Sequence, residues 1–286
     1  EPIFVTHNSI SFRFVADTMI VDLPFYDVSD LNVPYVSLNG NVLVQTKNIS
    51  DLEPGFSYSV SMFLKKNASC GVSFYYNGNS VSNLLAQNAS LEIVSFDGIQ
   101  LATNGMQFFN FVGTMSALAG GSPVILAGTS MKQCFYAAHC ANIDVSTWDI
   151  SQVTSMESTF ENASGLGVNQ LIQWDTRSVL NFSRMFANYE PNALDFSVNI
   201  VQMDITSAET MDEMLKNVTM STDAYENLLL TWSSRESLPS NISFDAGFST
   251  YTLTGEVGRE VLMSNYQWLI KDGGLLFDPL EDCPIQ

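Results

Sequence analysis

Trp148-Asp149-Ile150-Ser151-Gln152-Val153-Thr154-Ser155-Met156, running on to Phe160, is the stretch on which the reading of this chain turns. It returns as Trp174-Asp175-Thr176-Arg177-Ser178-Val179-Leu180-Asn181-Phe182, running on to Phe186. A third copy is Met203-Asp204-Ile205-Thr206-Ser207-Ala208-Glu209-Thr210-Met211, running on to Leu215. A weaker, earlier copy keeps Gly128, Met131 and Phe135. The equivalent positions Gly128, Val153, Val179 and Ala208 are separated by 25, 26 and 29 residues, a period of solenoid length. Within the units, Val153/Met156/Phe160, Val179/Phe182/Phe186 and Ala208/Met211/Leu215 are spaced 0, 3, 7, which predicts one face of a helical segment. Asp149 or Ser151, and the counterparts Asp175 and Asp204, stand just before it, placed to accept from its free N–H groups. Leu171-Ile172-Gln173-Trp174 predicts a short strand between helical pieces. One such unit cannot bury its own apolar face, so neighbours must stack, with the Met and aromatic stripe inside a continuous core.

The pattern Trp-Asp-x-Ser-x-Val-x-x-Met-x-x-x-Phe resembles the BspA-like leucine-rich-repeat surface protein family. The region after the repeats is similar to what closes those arrays. It runs Ala224-Tyr225-Glu226-Asn227-Leu228-Leu229-Leu230-Thr231-Trp232, then Asn241-Ile242-Ser243-Phe244-Asp245-Ala246-Gly247, then a helical Gly255–Ser264 and Tyr266-Gln267-Trp268-Leu269-Ile270-Lys271-Asp272-Gly273-Gly274. Val257, Val261 and Leu262 are expected to form the apolar face of that helix. The resemblance spans residues 122–274 and departs from the family in having few repeats, with Met203 in place of a Trp. It implies a short repeat solenoid and an adhesive or protein–protein role, without naming a partner.

Upstream, the pattern changes to period two. Ile10, Phe12 and Phe14 alternate with Ser9, Ser11 and Arg13; Val42 and Val44, and Tyr58, Val60 and Met62, do the same. Leu38-Asn39-Gly40 and Asn77-Gly78-Asn79 mark turns between strands. Leu52-Glu53-Pro54-Gly55-Phe56-Ser57-Tyr58-Ser59-Val60 resembles the corner of fibronectin type III sandwiches, where a Tyr hydroxyl bonds back to the backbone. The usual core Trp is absent, with Phe12 in its place. The chain therefore reads as α+β and multidomain. An immunoglobulin/fibronectin-like β-sandwich covers residues 1–96 and a connecting segment 97–121. BspA-like leucine-rich repeats cover 122–220, and a C-terminal cap and tail 221–286.

The 286 residues carry 30 acidic and 11 basic side chains, a net charge of −19, which excludes nucleic-acid binding and opposes an anionic membrane surface. No apolar run reaches the ~18 residues of a membrane span. The sequence begins at Glu1 without a basic-then-apolar leader, and is expected to be a mature, exported chain. Four cysteines fit disulfides, with Cys134 to Cys140 closing a local loop and Cys70 to Cys283 tying the N-terminal region to the tail; three pairings are formally open. A metal site using His139 beside Cys140 is the alternative, with His7 the only other histidine. Asn48, Asn67, Asn88, Asn162, Asn181, Asn217 and Asn241 open Asn-x-Ser/Thr triplets, which together point to an extracellular or cell-surface glycoprotein.

No nucleotide loop, nucleophile elbow or metal motif occurs, and no enzyme or cofactor is expected. Asp149, Asp175 and Asp204 read as cap or turn residues, a calcium ladder being the alternative. The expected partners are the protein itself or another extracellular surface protein, together with N-linked glycans. Pro2-Ile3-Phe4-Val5-Thr6 reads either as the first strand of its own sandwich or as a strand donated to a neighbouring copy in a head-to-tail filament. A monomeric module recognising a glycan or protein is the other reading.

Overall fold

The computed structural model describes residues 9–27, 33–41, 44–64, 70–73, 75–76, 79–80, 91–103, 105, 107–111, 113–115, 121–140, 143–165, 174–190 and 200–276. Among the described residues, twelve strands occupy the N-terminal part. They are β1 (Ser9–Val15), β2 (Val21–Asp22), β3 (Phe25–Asp27), β4 (Tyr35–Leu38), β5 (Val44–Gln45) and β6 (Asn48–Ile49). There follow β7 (Ser57–Phe63), β8 (Cys70–Val72), β9 (Tyr75–Tyr76), β10 (Asn79–Ser80), β11 (Glu92–Ser95) and β12 (Thr114–Met115). A six-stranded sheet has the order β12-β11-β1-β7-β4-β5, and β2–β6, β3–β8 and β9–β10 form short pairs. Among the described residues no sheet closes into a barrel.

Period-two alternation explains the first strand. Ile10, Phe12 and Phe14 are buried, and β1 runs antiparallel to β7 in unbroken register from Ser9↔Phe63 to Val15↔Ser57. Val60 and Met62 meet them from β7, and Val21, Leu23, Ile49 and Leu52 join the same core. Asn39 and Gly40 take the left-handed conformation that a tight turn requires, with Asn41 N–H donating to Leu38 O. The corner resemblance is realised in one bond: the Glu53 N–H donates to the Tyr58 hydroxyl at 2.8 Å. Val44, expected on an alternating strand, is on the outermost strand of the sheet and exposed.

From β11 onward the pairing turns parallel. β11 pairs β12 in parallel, and isolated parallel bridges join Val72 to Leu101, Gln100 to Val124 and Met115 to Ile143. Further bridges climb from Ser130 to Ser155, Asn181 and Thr210, and then from Met211 to Phe244. The chain here is a pile of coils, and the described residues between 121 and 220 contain no α-helix.

Residues 131–138 give the local geometry of a coil. The N–H groups of Cys134, Tyr136 and Ala138 close turns on the carbonyls of Met131, Gln133 and Phe135. The alternate N–H groups, of Met131, Gln133, Phe135 and Ala137, donate instead to Ser155, Glu157, Thr159 and Glu161 of the next coil, at 2.8–2.9 Å. The same alternation links Met156, Ser158, Phe160 and Asn162 to the coil above, and Phe182, Arg184, Phe186 and Asn188 to the one after. Half the amides thus find partners only through stacking.

The helical segments expected in the repeats are corrected by this geometry. Gln133, Ala137, Ser158, Asn162, Arg184, Glu213 and Asn217 have φ between 52° and 61°, which a right-handed helix excludes. Left-handed residues stand four apart at Gln133/Ala137, Ser158/Asn162 and Glu213/Asn217, so Met156 and Phe160 return to the same side as they would on a helix. The triplets spaced 0, 3, 7 are accordingly all buried.

Inside the coils, the Phe108, Phe135, Phe160 and Phe186 rings lie one above another. Successive centroids are 5.4, 5.4 and 5.8 Å apart, with interplanar angles of 5–8°. Trp148 packs against Phe96, Phe108 and Phe135, and so joins the sheet core to the stack. One hydrophobic cluster runs from Ile10 to Trp268. Phe108 belongs to a coil in the segment expected to be a connection, since its N–H donates to Cys134 O.

The stack ends in α1 (Thr222–Ser233), β13 (Ser243–Asp245), β14 (Thr250–Tyr251), α2 (Leu253–Tyr266), β15 (Leu269–Lys271) and β16 (Gly274–Leu275). Ser221 and Thr252 cap the two helices through their hydroxyls. The buried face of α2 is Gly255, Gly258 and Leu262, whereas Val257 is exposed. Of the expected Val257/Val261/Leu262 face, Leu262 is buried and Val261 half-buried, and the correction falls on Val257. A Cβ on Gly258 would sit 2.7 Å from the Leu229 carbonyl, so glycine is what lets α2 lie against the α1 backbone.

Candidate functional site

The repeating aspartates are spent on turns. Asp149, Asp175 and Asp204 each accept, through Oδ1, the N–H two residues on, from Ser151, Arg177 and Thr206 at 2.9–3.2 Å. Asp144, Asp245 and Asp272 repeat the device with Ser146, Gly247 and Gly274. Hydrogen bonding from Ser151 holds the Asp149 carboxyl below its usual range, and the Arg177 guanidinium does the same for Asp175. Among the described residues no three His, Cys, Asp or Glu side chains converge as metal ligands. Ser151 itself serves the stack, its carbonyl accepting from Ser178 Oγ at 2.7 Å.

Cys134 and Cys140 are thiols with no bond between them, which corrects the expected local bridge. Both are sealed in the core. Cys134 faces the backbone N–H groups of Phe108 and Gln107 in the coil below, while Cys140 follows the Ala138 carbonyl. Burial raises both thiols, Cys140 to about 12, which leaves them protonated and unreactive. His139 is exposed, its Nδ1 2.8 Å from Ser164 Oγ, so it does not share a site with the buried Cys140. Cys283, His7 and the segment Pro2–Thr6 lie outside the described residues, as do Asn67 and Asn88 and the expected strand at 171–173. Cys70 starts β8, opposite Asp27.

A charged network staples three coils on the outside. Arg184 donates through Nε and Nη2 to both oxygens of buried Glu161, at 3.0 and 2.7 Å, and through Nη1 to Glu213. Lys216 Nζ completes it on Glu213 at 2.6 Å. Next to it runs an aromatic row. Phe109 stacks on Tyr136 at 4.8 Å, and the Tyr136 and Tyr189 hydroxyls share a hydrogen bond. Burial, then the Tyr189 hydroxyl, pushes the Tyr136 phenol up to about 12.

The terminal coil differs from the others in what it leaves uncovered. Leu269 is 72% exposed, and Leu275, Leu276 and Phe248 in the same cap are exposed as well. β15 pairs with β13 and β16 with β14; among the described residues no strand pairs with their outer edges. Arg259 reaches across this end, bonding Asp272 at 2.8 Å and the Ile270 carbonyl at 3.3 Å, with its guanidinium over the Tyr251 ring. Tyr225 donates to the same buried Asp272 carboxylate. Sequence reasoning missed this surface, because Leu269 and Leu275 lie in segments whose hydrophobicity reads as core.

Among known proteins, a family model described as "Mycoplasma protein of unknown function, DUF285" matches residues 129–239, the span from the second bridged coil to the end of α1 and the loop beyond it. No curated protein and no solved structure matches the chain.

Proposed function

We propose that this chain is a non-enzymatic, extracellular structural or adhesion glycoprotein that self-assembles head-to-tail into a surface or extracellular filament. In this reading residues 122–220 are a short leucine-rich-repeat-type solenoid of the BspA-like kind, residues 221–286 its cap and tail, and residues 1–96 an immunoglobulin-like sandwich. The observation that carries it is the uncovered terminal coil. A repeat array needs a polar outer face at its end to stay apart from its neighbours, and here the end carries exposed Leu269, Leu275 and Leu276. A contact between this end and a different surface of the next copy does not close on itself, so it propagates. Pro2–Thr6, short and apolar, is the segment proposed to add to that contact.

The non-enzymatic reading is supported by where the reactive groups lie: Asp149, Asp175 and Asp204 in turns, the Cys134 and Cys140 thiols in the core, and His139 on Ser164. A second reading is a monomeric module for a glycan or protein partner. It draws on the row of half-buried Phe109 and Tyr136 beside exposed Tyr189, since surface aromatic rings are common anchors for ligands. Electron microscopy of the purified protein over a concentration series separates the two. Fibres are expected; a monodisperse monomer at the highest concentration would favour the module.

A further inference from the structure

Of the Asn-x-Ser/Thr triplets within the described residues, four, at Asn48, Asn162, Asn217 and Asn241, have amides in contrasting surroundings. Attaching a sugar replaces one Nδ2 hydrogen with a bulky group, so an acceptor needs Nδ2 in solvent. Asn48, at the start of β6, and Asn241, at φ 61° just ahead of β13, are both exposed. Asn162 and Asn217 are not equivalent to them. They hold matching places in their coils, at φ 55° and 61°, where asparagine is among the few side chains that tolerate the left-handed conformation. Asn188, without the positive φ, stands at the corresponding sequence position of the coil between them.

The side-chain amides of Asn162 and Asn217 make two rungs of a ladder onto the coil between them. Asn162 Oδ1 accepts the Tyr189 N–H at 2.7 Å, while its Nδ2 is sealed from solvent and faces the Tyr136 hydroxyl. Asn217 Nδ2 donates to Asn188 O at 2.8 Å and to Tyr189 O at 3.2 Å, which occupies both its hydrogens. The repeat itself explains why such residues look like acceptors. Ala163 and Val218, the middle residues of the two triplets, are buried, and the polar residues on either side alternate outward around them. A structural asparagine followed by a core residue and a Ser or Thr spells the acceptor triplet by accident of the coil.

We infer that Asn48 and Asn241 are N-glycosylation sites of the folded molecule, and that Asn162 and Asn217 are structural ladder residues that carry no sugar. The inference rests on the export reading above. A chain modified at Asn162 could not close the coil at Tyr189, so the folded, secreted population excludes it. Asn241 N–H bonds Tyr266 O, and the next residue's carbonyl accepts from Leu269 N–H, so its sugar stands beside the exposed Leu269 end.

The test is to secrete the full chain from a eukaryotic cell behind a heterologous leader, release N-glycans enzymatically in 18O-water, and map the tagged residues by mass spectrometry. Tags at Asn48 and Asn241 with Asn162 and Asn217 untagged are expected. Asn48→Gln and Asn241→Gln should each remove one glycan increment of mass; the first should leave the melting temperature unchanged, and the second, at φ 61°, should lower it slightly. Asn162→Gln should remove no glycan mass and lower the melting temperature. A tag on Asn162 or Asn217 in folded, secreted protein, or none on Asn48 and Asn241, overturns the assignment. The same map on native material separates the two claims: sugar-free native protein beside tagged recombinant protein would sink the export reading alone.

Discussion

The N-terminal sheet and the stacked coils bury comparable aromatic side chains but satisfy their backbones in opposite ways. In the sheet, β1 is held by β7 through antiparallel register over seven residues, between segments about fifty residues apart in sequence. In the coils, each amide alternates between closing its own turn and reaching the adjacent coil, so parallel contacts repeat at every step. Removing β1 would unpair its two neighbours β11 and β7, and removing the edge strand β5 only β4. A coil that fails likewise unpairs two neighbours, because it donates up the stack and accepts from below, but it also takes its ring out of the continuous aromatic column. The coils should therefore pass local damage along the stack.

The largest expected effect breaks the comparison at its centre. Phe160 lies between Phe135 and Phe186 with its ring fully covered. Phe160→Ala should cost about 3–5 kcal/mol, read as a lower denaturant midpoint, with amide exchange accelerated at Phe135 and Phe182 in the flanking coils. Acceleration confined to Phe160's own coil would remove the claim of spreading. In the sheet, Tyr58→Phe deletes the hydroxyl that receives the Glu53 N–H and should cost about 1 kcal/mol. Its exchange effects should stay within the corner and β7; an unchanged midpoint would mean that the corner bond adds nothing.

Ala137→Gly is smaller and more diagnostic. Ala137 sits at φ 52°, so glycine relieves left-handed strain of about 1 kcal/mol while gaining freedom in the unfolded chain. The midpoint should hold steady or rise slightly. A helix at this place would lose about 1 kcal/mol on the same change, so a clear drop would contradict the coil geometry.

The smallest effect is electrostatic. Lys216, then Arg184, hold the Glu213 carboxyl below its ordinary range. A carboxyl depressed by folding stabilises above the unfolded glutamate value, about 4.3, and that contribution disappears as pH falls through the folded value. Glu213 is partly exposed, so Glu213→Gln should cost only a few tenths of a kcal/mol near neutrality. The difference from wild type should vanish on acidification; a gap that persists in acid would mean packing rather than charge.

Much of this was legible in the residues, and the losses have physical causes. Ile10, Phe12 and Phe14 announced β1 because one face of a sheet is buried and side chains alternate with a period of two. The Tyr58 corner was legible because its Pro-Gly turn and tyrosine sit close together. In the coils, the long repeat and its buried triplets were legible, but their conformation was not. A turn unit of four residues places Met156 and Phe160 as a helix would, and nothing in Ser158 or Arg184 signals a positive φ. The coil at Phe108 lacks the Trp-Asp opening, leaving only the spacing of Phe108 and Phe111 to mark it. The α2 face was misread because Gly255 and Gly258 have no hydrophobic side chain to reveal that they are buried. Cys134 and Cys140 are neighbours in sequence, but their sulfurs are committed to different backbone partners.

The assembly claim rests on the end of the stack, where Leu269 and Leu275 stand uncovered. Sedimentation velocity of the wild type beside a Leu269→Lys/Leu275→Lys double variant addresses it most directly, with thermal melts to confirm that both are folded. Concentration-dependent large species in the wild type, and a monomer at every concentration in the folded variant, are the predicted result. A wild type that stays monomeric, or a variant that assembles equally well, would contradict it.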